Sequence, residues 1–111
     1  MLHTMKLQKS PFEKIVLGAK TIEIRLNDEK RQLIENGDSI RFLLADDNSQ
    51  SITTQVINIH HFNSFKELFY FFEPITYGGK TRDEYIKMYN YYNNEDEEKY
   101  GVIGIEIKLL N

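Results

Sequence analysis

Cysteine is absent from this 111-residue sequence. That removes disulfides, thiolate nucleophiles and thiolate metal sites together, and it suits a reducing cytoplasm, where this chain is expected to reside. No apolar run approaches the roughly 20 residues of a membrane span, and Met1-Leu2-His3-Thr4-Met5-Lys6 lacks a basic stretch followed by an apolar one. Neither a membrane helix nor a targeting segment is therefore expected. There is no internal repeat, low-complexity tract or linker, so residues 1–111 read as one domain. Positive charge is in short supply too: 14 Lys/Arg against 17 Asp/Glu leave a net charge of -3, unfavourable for a protein that grips nucleic acid through many phosphates. The deficit is uneven. Residues 1–45 carry eight Lys/Arg against six Asp/Glu, a balance of +2, while residues 46–111 carry six against eleven, a balance of -5. A polyanion, if bound, should meet the N-terminal half.

What is present is the composition of an ordinary globular protein, with 41% apolar and 28% charged residues. Met5 to Leu7 reads as a short first strand. Ser10-Pro11 predicts a helix start, Ser capping and Pro at the first helical position, with Phe12, Ile15 and Val16 as its apolar stripe and Gly18 as its end. Thr21-Ile22-Glu23-Ile24-Arg25-Leu26 alternates strictly. As a strand it buries Ile22, Ile24 and Leu26 and shows Thr21, Glu23 and Arg25 on the other face. Asn27 or Asp28 caps a short helix through Glu35 with Leu33 and Ile34 inward, and Asn36-Gly37-Asp38 is a turn. Ser39 to Leu44 and Ile52 to Phe62 are strands of a hairpin across the loop at residues 46–49. Ser64 caps a helix with a core stripe of Phe65, Leu68, Phe69 and Phe72, stopped at Glu73-Pro74. Tyr77-Gly78-Gly79 is a turn. Thr81 and Glu84 form a capping box for a helix through Tyr92, whose Tyr85, Tyr89 and Tyr92 pack inward with base stacking as the alternative. Glu95 to Glu98 reads as a solvated acidic turn, and Tyr100 to Leu109 as the final strand, with Gly101 and Gly104 easing a bend. Strands interrupted by helices without βαβ regularity predict an α+β domain with a mainly antiparallel, curled sheet.

Gly18-Ala19-Lys20-Thr21-Ile22-Glu23-Ile24-Arg25 follows the helix that carries Phe12 and Ile15. It is followed by Gly37-Asp38, a strand with Phe42, and Tyr100-Gly101-Val102-Ile103-Gly104-Ile105. This arrangement resembles the ASCH family of the PUA-like superfold over nearly the whole chain. The resemblance implies a small mixed or antiparallel β-barrel flanked by helices, with RNA or a nucleoside as partner. One branch of that family consists of N4-acetylcytidine amidohydrolases, whose catalytic set is a turn Lys, a Thr three residues later and a Glu from the helical region. Lys20 matches the first, Glu23 stands in place of the Thr, and no residue is assigned to the third. Another branch cleaves single-stranded RNA, again through the turn Lys.

Glu23 and Arg25, two residues apart on a strand, project from one face with Cα atoms roughly 6.5 to 7 Å apart and can reach one ligand. A carboxylate beside a guanidinium can accept from the exocyclic amine of a cytosine while donating to N3 and O2. The alternative is a surface ion pair worth at most about 1 kcal/mol. Lys20 is out of phase with Glu23 unless it sits in the turn before the strand; there it could act as a general base or as a cation for a developing oxyanion. Lys20 and Glu23, the latter activating water, are thus the candidate catalytic pair, and Arg25 and Thr21 the candidate substrate-binding residues. Adjacent His60 and His61 face opposite ways and His3 is remote, so no metal is expected, and no cofactor either. An RNA- or nucleoside-binding domain leads, with an amidohydrolase, a ribonuclease and a non-enzymatic adaptor as rivals; the sequence leaves the oligomeric state open.

Overall fold

The computed structural model describes residues 1–90 and 94–110. In chain order these form β1 (Leu2–Leu7), α1 (Lys9–Val16), β2 (Ile22–Leu26), a 3-10 turn (Arg31–Leu33), β3 (Ser39–Leu44), β4 (Asp47–Phe62), α2 (Phe65–Phe71), α3 (Pro74–Tyr77), α4 (Arg82–Tyr89), α5 (Asn94–Tyr100) and β5 (Val102–Leu110). The strands make one five-stranded sheet in the order β1-β3-β4-β5-β2. Only the β1–β3 pair is parallel. The register of the long β4 against β5 slips between Val56 and Asn58, a bulge that bends the strand and lets the sheet curl into a half-barrel with helices around it. β1 and β2 are its two edges.

Both faces of β5 are buried. Ile103, Ile105 and Ile107 join Met5, Leu7, Phe12, Ile15 and Phe42 in one core under α1, and Val102 joins Ile22, Ile24, Phe65, Leu68, Phe69, Tyr77 and Tyr85 in a second core under α2, α3 and α4. Gly104 faces this second core: a Cβ there would lie 3.0 Å from Phe72 and 3.3 Å from Leu68 and Ile22, so its missing side chain admits α2.

Several expectations change. Gln8, not Ser10, is the N-cap of α1, and its side chain makes no capping bond. The helix after Asn27 shrinks to one 3-10 turn; Asp28 does accept from the Arg31 amide, but Leu33 is exposed while Ile34 is buried, because the chain leaves the turn extended at Ile34. β1 begins earlier, at Leu2, and β4 starts at Asp47, which shortens the hairpin loop. Pro74 ends α2 yet opens the four-residue α3. The acidic run at residues 95–98 is helical, and Glu97 accepts from the amide of Phe65 at the start of α2, 2.9 Å away. Tyr100 ends α5, so the last strand begins at Val102. The caps at Ser64 and Thr81 form as expected, the latter a complete capping box. α4 ends at Tyr89; Tyr92, expected in it, lies outside the described residues.

Candidate functional site

α1 closes through Gly18, at φ 78°, a left-handed conformation that glycine adopts without strain, and the amides of Ala19 and Lys20 turn back to the Lys14 carbonyl. Lys20 thus belongs to the turn and not to β2, which frees it from strand alternation. The next residue is fixed from both sides, the Thr21 amide bonding the Thr76 carbonyl and the Thr21 carbonyl accepting from Ile107. From there β2 sends Ile22 and Ile24 into the helical core, and Glu23, opposite Ile105, to the other face. Glu23 is 5% exposed, which is not the surface position that the ion-pair alternative required, because both faces of this sheet are covered.

Lys20 is equally buried, and its ammonium donates to the carbonyls of Ile22 (2.8 Å) and Tyr77 (3.0 Å) and lies 3.2 Å from Glu23 Oε1. All three of its N–H groups are engaged. Glu23 Oε1 also accepts from the Ile24 amide, and Oε2 from Arg25 Nη2 at 3.0 Å. Burial on its own would raise the Glu23 carboxyl, but the charges of Lys20 and Arg25, with their hydrogen bonds, outweigh it and hold Glu23 below the usual carboxylate range. The pair is therefore a fixed carboxylate against a fixed cation, in which Glu23 keeps part of its acceptor capacity.

Arg25 is different. Its side chain is 24% exposed, and both of its bonds, to Glu23 and to the Lys6 carbonyl (3.1 Å), leave through Nη2. Nε and Nη1 have no partner among the described residues and are not sealed from solvent. The Lys6 bond has a second effect: it ties β2 to β1, the opposite edge of the sheet, across the open side of the half-barrel.

A cleft of about 470 Å³ opens along this seam. Its walls come from the β1–α1 junction (Lys6, Gln8, Ser10), from α1 (Lys14), from Lys20, Glu23 and Arg25, and from Tyr77, Gly78, Lys80, Tyr85 and Met88. Five cationic side chains thus face one carboxylate in a chain whose net charge is -3. The structure brings Lys20, Glu23 and Arg25 together; Thr21, expected on their face, lines a separate small cavity with Ile15, Gly18 and Leu109 instead. It precedes β2, so strand phase does not carry its side chain to the cleft. Sequence reasoning missed Lys6, Lys14, Lys80 and the backbone of α3. Lys14 donates to the Gly78 carbonyl and Lys20 to that of Tyr77, so two lysines satisfy the C-terminal carbonyls of α3, a contact that leaves no side-chain pattern to read. Tyr77 is buried, which raises its hydroxyl to about 12; it donates to the Phe69 carbonyl and so braces the cleft wall.

His60 and His61 diverge as adjacent strand residues must: His60 meets Glu106 at 3.1 Å and packs edge-on against Phe72, while His61 lines another hollow. His3 bonds Asp38. Among the described residues no group of three His, Asp or Glu gathers around a common point, and no helix is long and apolar enough to cross a membrane.

A family model of the ASCH domain matches residues 5–111. The hypothetical protein PH0355 superposes with a TM-score of 0.85 at 37% identity, over 99% of this chain and 100% of its own. Protein PF0455 from Pyrococcus furiosus gives 0.78 at 38% identity, over 100% and 99%. A mutant ASCH protein from Zymomonas mobilis gives 0.69 at 12% identity, over 99% of this chain and 73% of its own, a likeness of fold alone. No curated protein matches.

Proposed function

The chain belongs to the ASCH domain family, a PUA-like fold linked to RNA binding, and from that premise we propose that the cleft at the seam of the half-barrel binds RNA or a modified nucleoside. The observation that carries the reading is Arg25. Its three free N–H groups stand beside a carboxylate that is held ionised and still has acceptor capacity, a donor–acceptor edge suited to a base such as cytosine. Binding is favoured over catalysis because Lys20 has no unengaged N–H or lone pair to offer and Glu23 is locked between two cations, so neither is poised to move a proton. Arg25→Lys is expected to weaken binding of cytidine or a short single-stranded RNA by about tenfold, since a point ammonium cannot reproduce the planar fork. Calorimetry decides it, and an unchanged affinity returns Arg25 to a purely structural role.

One feature favours the hydrolytic rival: the Lys20–Glu23 contact lies on the cleft wall, where a bound amide would meet it. If these residues activate water, the natural protein releases acetate from N4-acetylcytidine, and Lys20→Met abolishes the release while circular dichroism shows the fold intact. If instead a hydroxyl is required where Glu23 stands, the natural protein is slow and Glu23→Thr is faster. Cleavage of labelled single-stranded RNA would select the ribonuclease, and failure of every binding and turnover assay the adaptor.

A further inference from the structure

Building on the reading of the cleft as a binding site, we infer that its ligand is a phosphorylated nucleoside, not a bare one: the base edge meets Arg25 and Glu23, and Lys6, Lys14 and Lys80 take the phosphate. Recognition of a neutral base needs one guanidinium and one acceptor, both already present. The three lysines are surplus to it. They arrive from three separate places in the fold, the β1 edge, the α1 helix and the residue before the Thr81 cap, and converge on one cleft. Among the described residues Lys6 and Lys80 are exposed and form no direct salt bridge, although the charge of Lys80 reaches the Glu84 carboxylate. In a chain with more acidic than basic side chains, a pocket holding five cations and one anion is a local inversion of charge, and like charges repel unless an anion is bound between them.

Size limits how much anion fits. A cleft of about 470 Å³ lies in the range, roughly 300–1,000 Å³, that holds one small ligand. The shared chemistry is therefore one nucleotide, either free or at the end of an RNA chain.

Calorimetry with cytidine, cytidine 5′-monophosphate and a 5′-phosphorylated oligocytidine, with guanosine and its monophosphate as a second pair, tests this. The monophosphate is expected to bind about tenfold or more tightly than its nucleoside, as charge-assisted hydrogen bonds to phosphate imply. Lys6→Ala and Lys80→Ala should each shrink that preference toward one, whereas Lys30→Ala, which removes the same charge outside the cleft, should leave it in place. Equal affinity for nucleoside and monophosphate would overturn the phosphate inference and leave the base-binding reading standing; so would a Lys30→Ala effect as large as that of Lys6→Ala. If no nucleoside, nucleotide or oligonucleotide binds, the binding reading itself falls, and this inference with it. Tighter binding of the oligonucleotide than of the monophosphate assigns the site to a chain end, and the reverse to a free nucleotide.

Discussion

A carboxylate that is 5% exposed keeps its charge only because cations flank it, so the stability of this fold should depend on Glu23 in a pH-dependent way. Glu23→Gln leaves Lys20 buried without its counter-charge and is expected to cost about 3 kcal/mol in urea unfolding at neutral pH. The sign of the pH effect follows from the lowered carboxyl: the unfolded chain binds this proton more readily than the folded one. The contribution of Glu23 is therefore complete above the ordinary value of 4.5 and is lost as pH falls through it toward the lower folded value. Asp38 is lowered as well, by the His3 hydrogen bond first and then by the Glu35 amide, so wild type and variant both weaken in acid. The difference between them isolates Glu23. It should shrink between neutral pH and pH values below 4.5; a constant difference would mean that the charge of Glu23 does not contribute. At this scale the sequence was readable where spacing is local: Glu23 and Arg25 share a face because alternation compels it. The three-way anchoring of Lys20 was not, since two of its acceptors are backbone carbonyls, one of them on α3, 57 residues away.

Elements were legible in proportion to the length and regularity of their side-chain pattern. β3 was found to its ends, and α2 and α4 began where Ser64 and Thr81 cap them. α3 and α5 were missed for physical reasons. Four residues hold too few turns to show periodicity, and a run of Asn, Glu, Asp and Lys has no apolar stripe; α5 buries none of its described residues and is tied down through Glu97. The junction between α3 and α4 offers a direct test of how tightly this wall of the cleft is packed. A Cβ on Gly78 would lie 1.9 Å from Tyr85 Oη, and the Tyr85 ring, buried against Phe69 and Tyr77, has no room to retreat. Gly78→Ala should therefore destabilise by about 1–3 kcal/mol. Tyr85→Phe in the same background removes the clashing oxygen and should restore part of the loss; thermal melts of the two single variants and the double read this coupling. Simple additivity would show that the two residues do not meet.

For the whole molecule, composition and alternation sufficed for one α+β domain with a curled sheet, and the resemblance added its PUA-like character; the strand order and the open seam were beyond both, because pairing partners are chosen by tertiary contact. β5 is the last strand in chain order, yet it lies between β4 and β2 in the sheet. Among the described residues β2 pairs only with β5, Ile22 opposite Glu106 and Leu26 opposite Val102. On a ribosome, therefore, β2 is made early and waits with its ladder groups unpaired through most of synthesis, while β3 and β4 can already form their hairpin and β1 dock beside it. The cleft side chains on β2 cannot take up their places until the final strand has cleared the exit tunnel. Nascent chains stalled before Val102 should thus resist proteolysis across the β3–β4 hairpin but be cut between Ile22 and Leu26, and binding competence should appear abruptly once Val102–Leu110 has emerged.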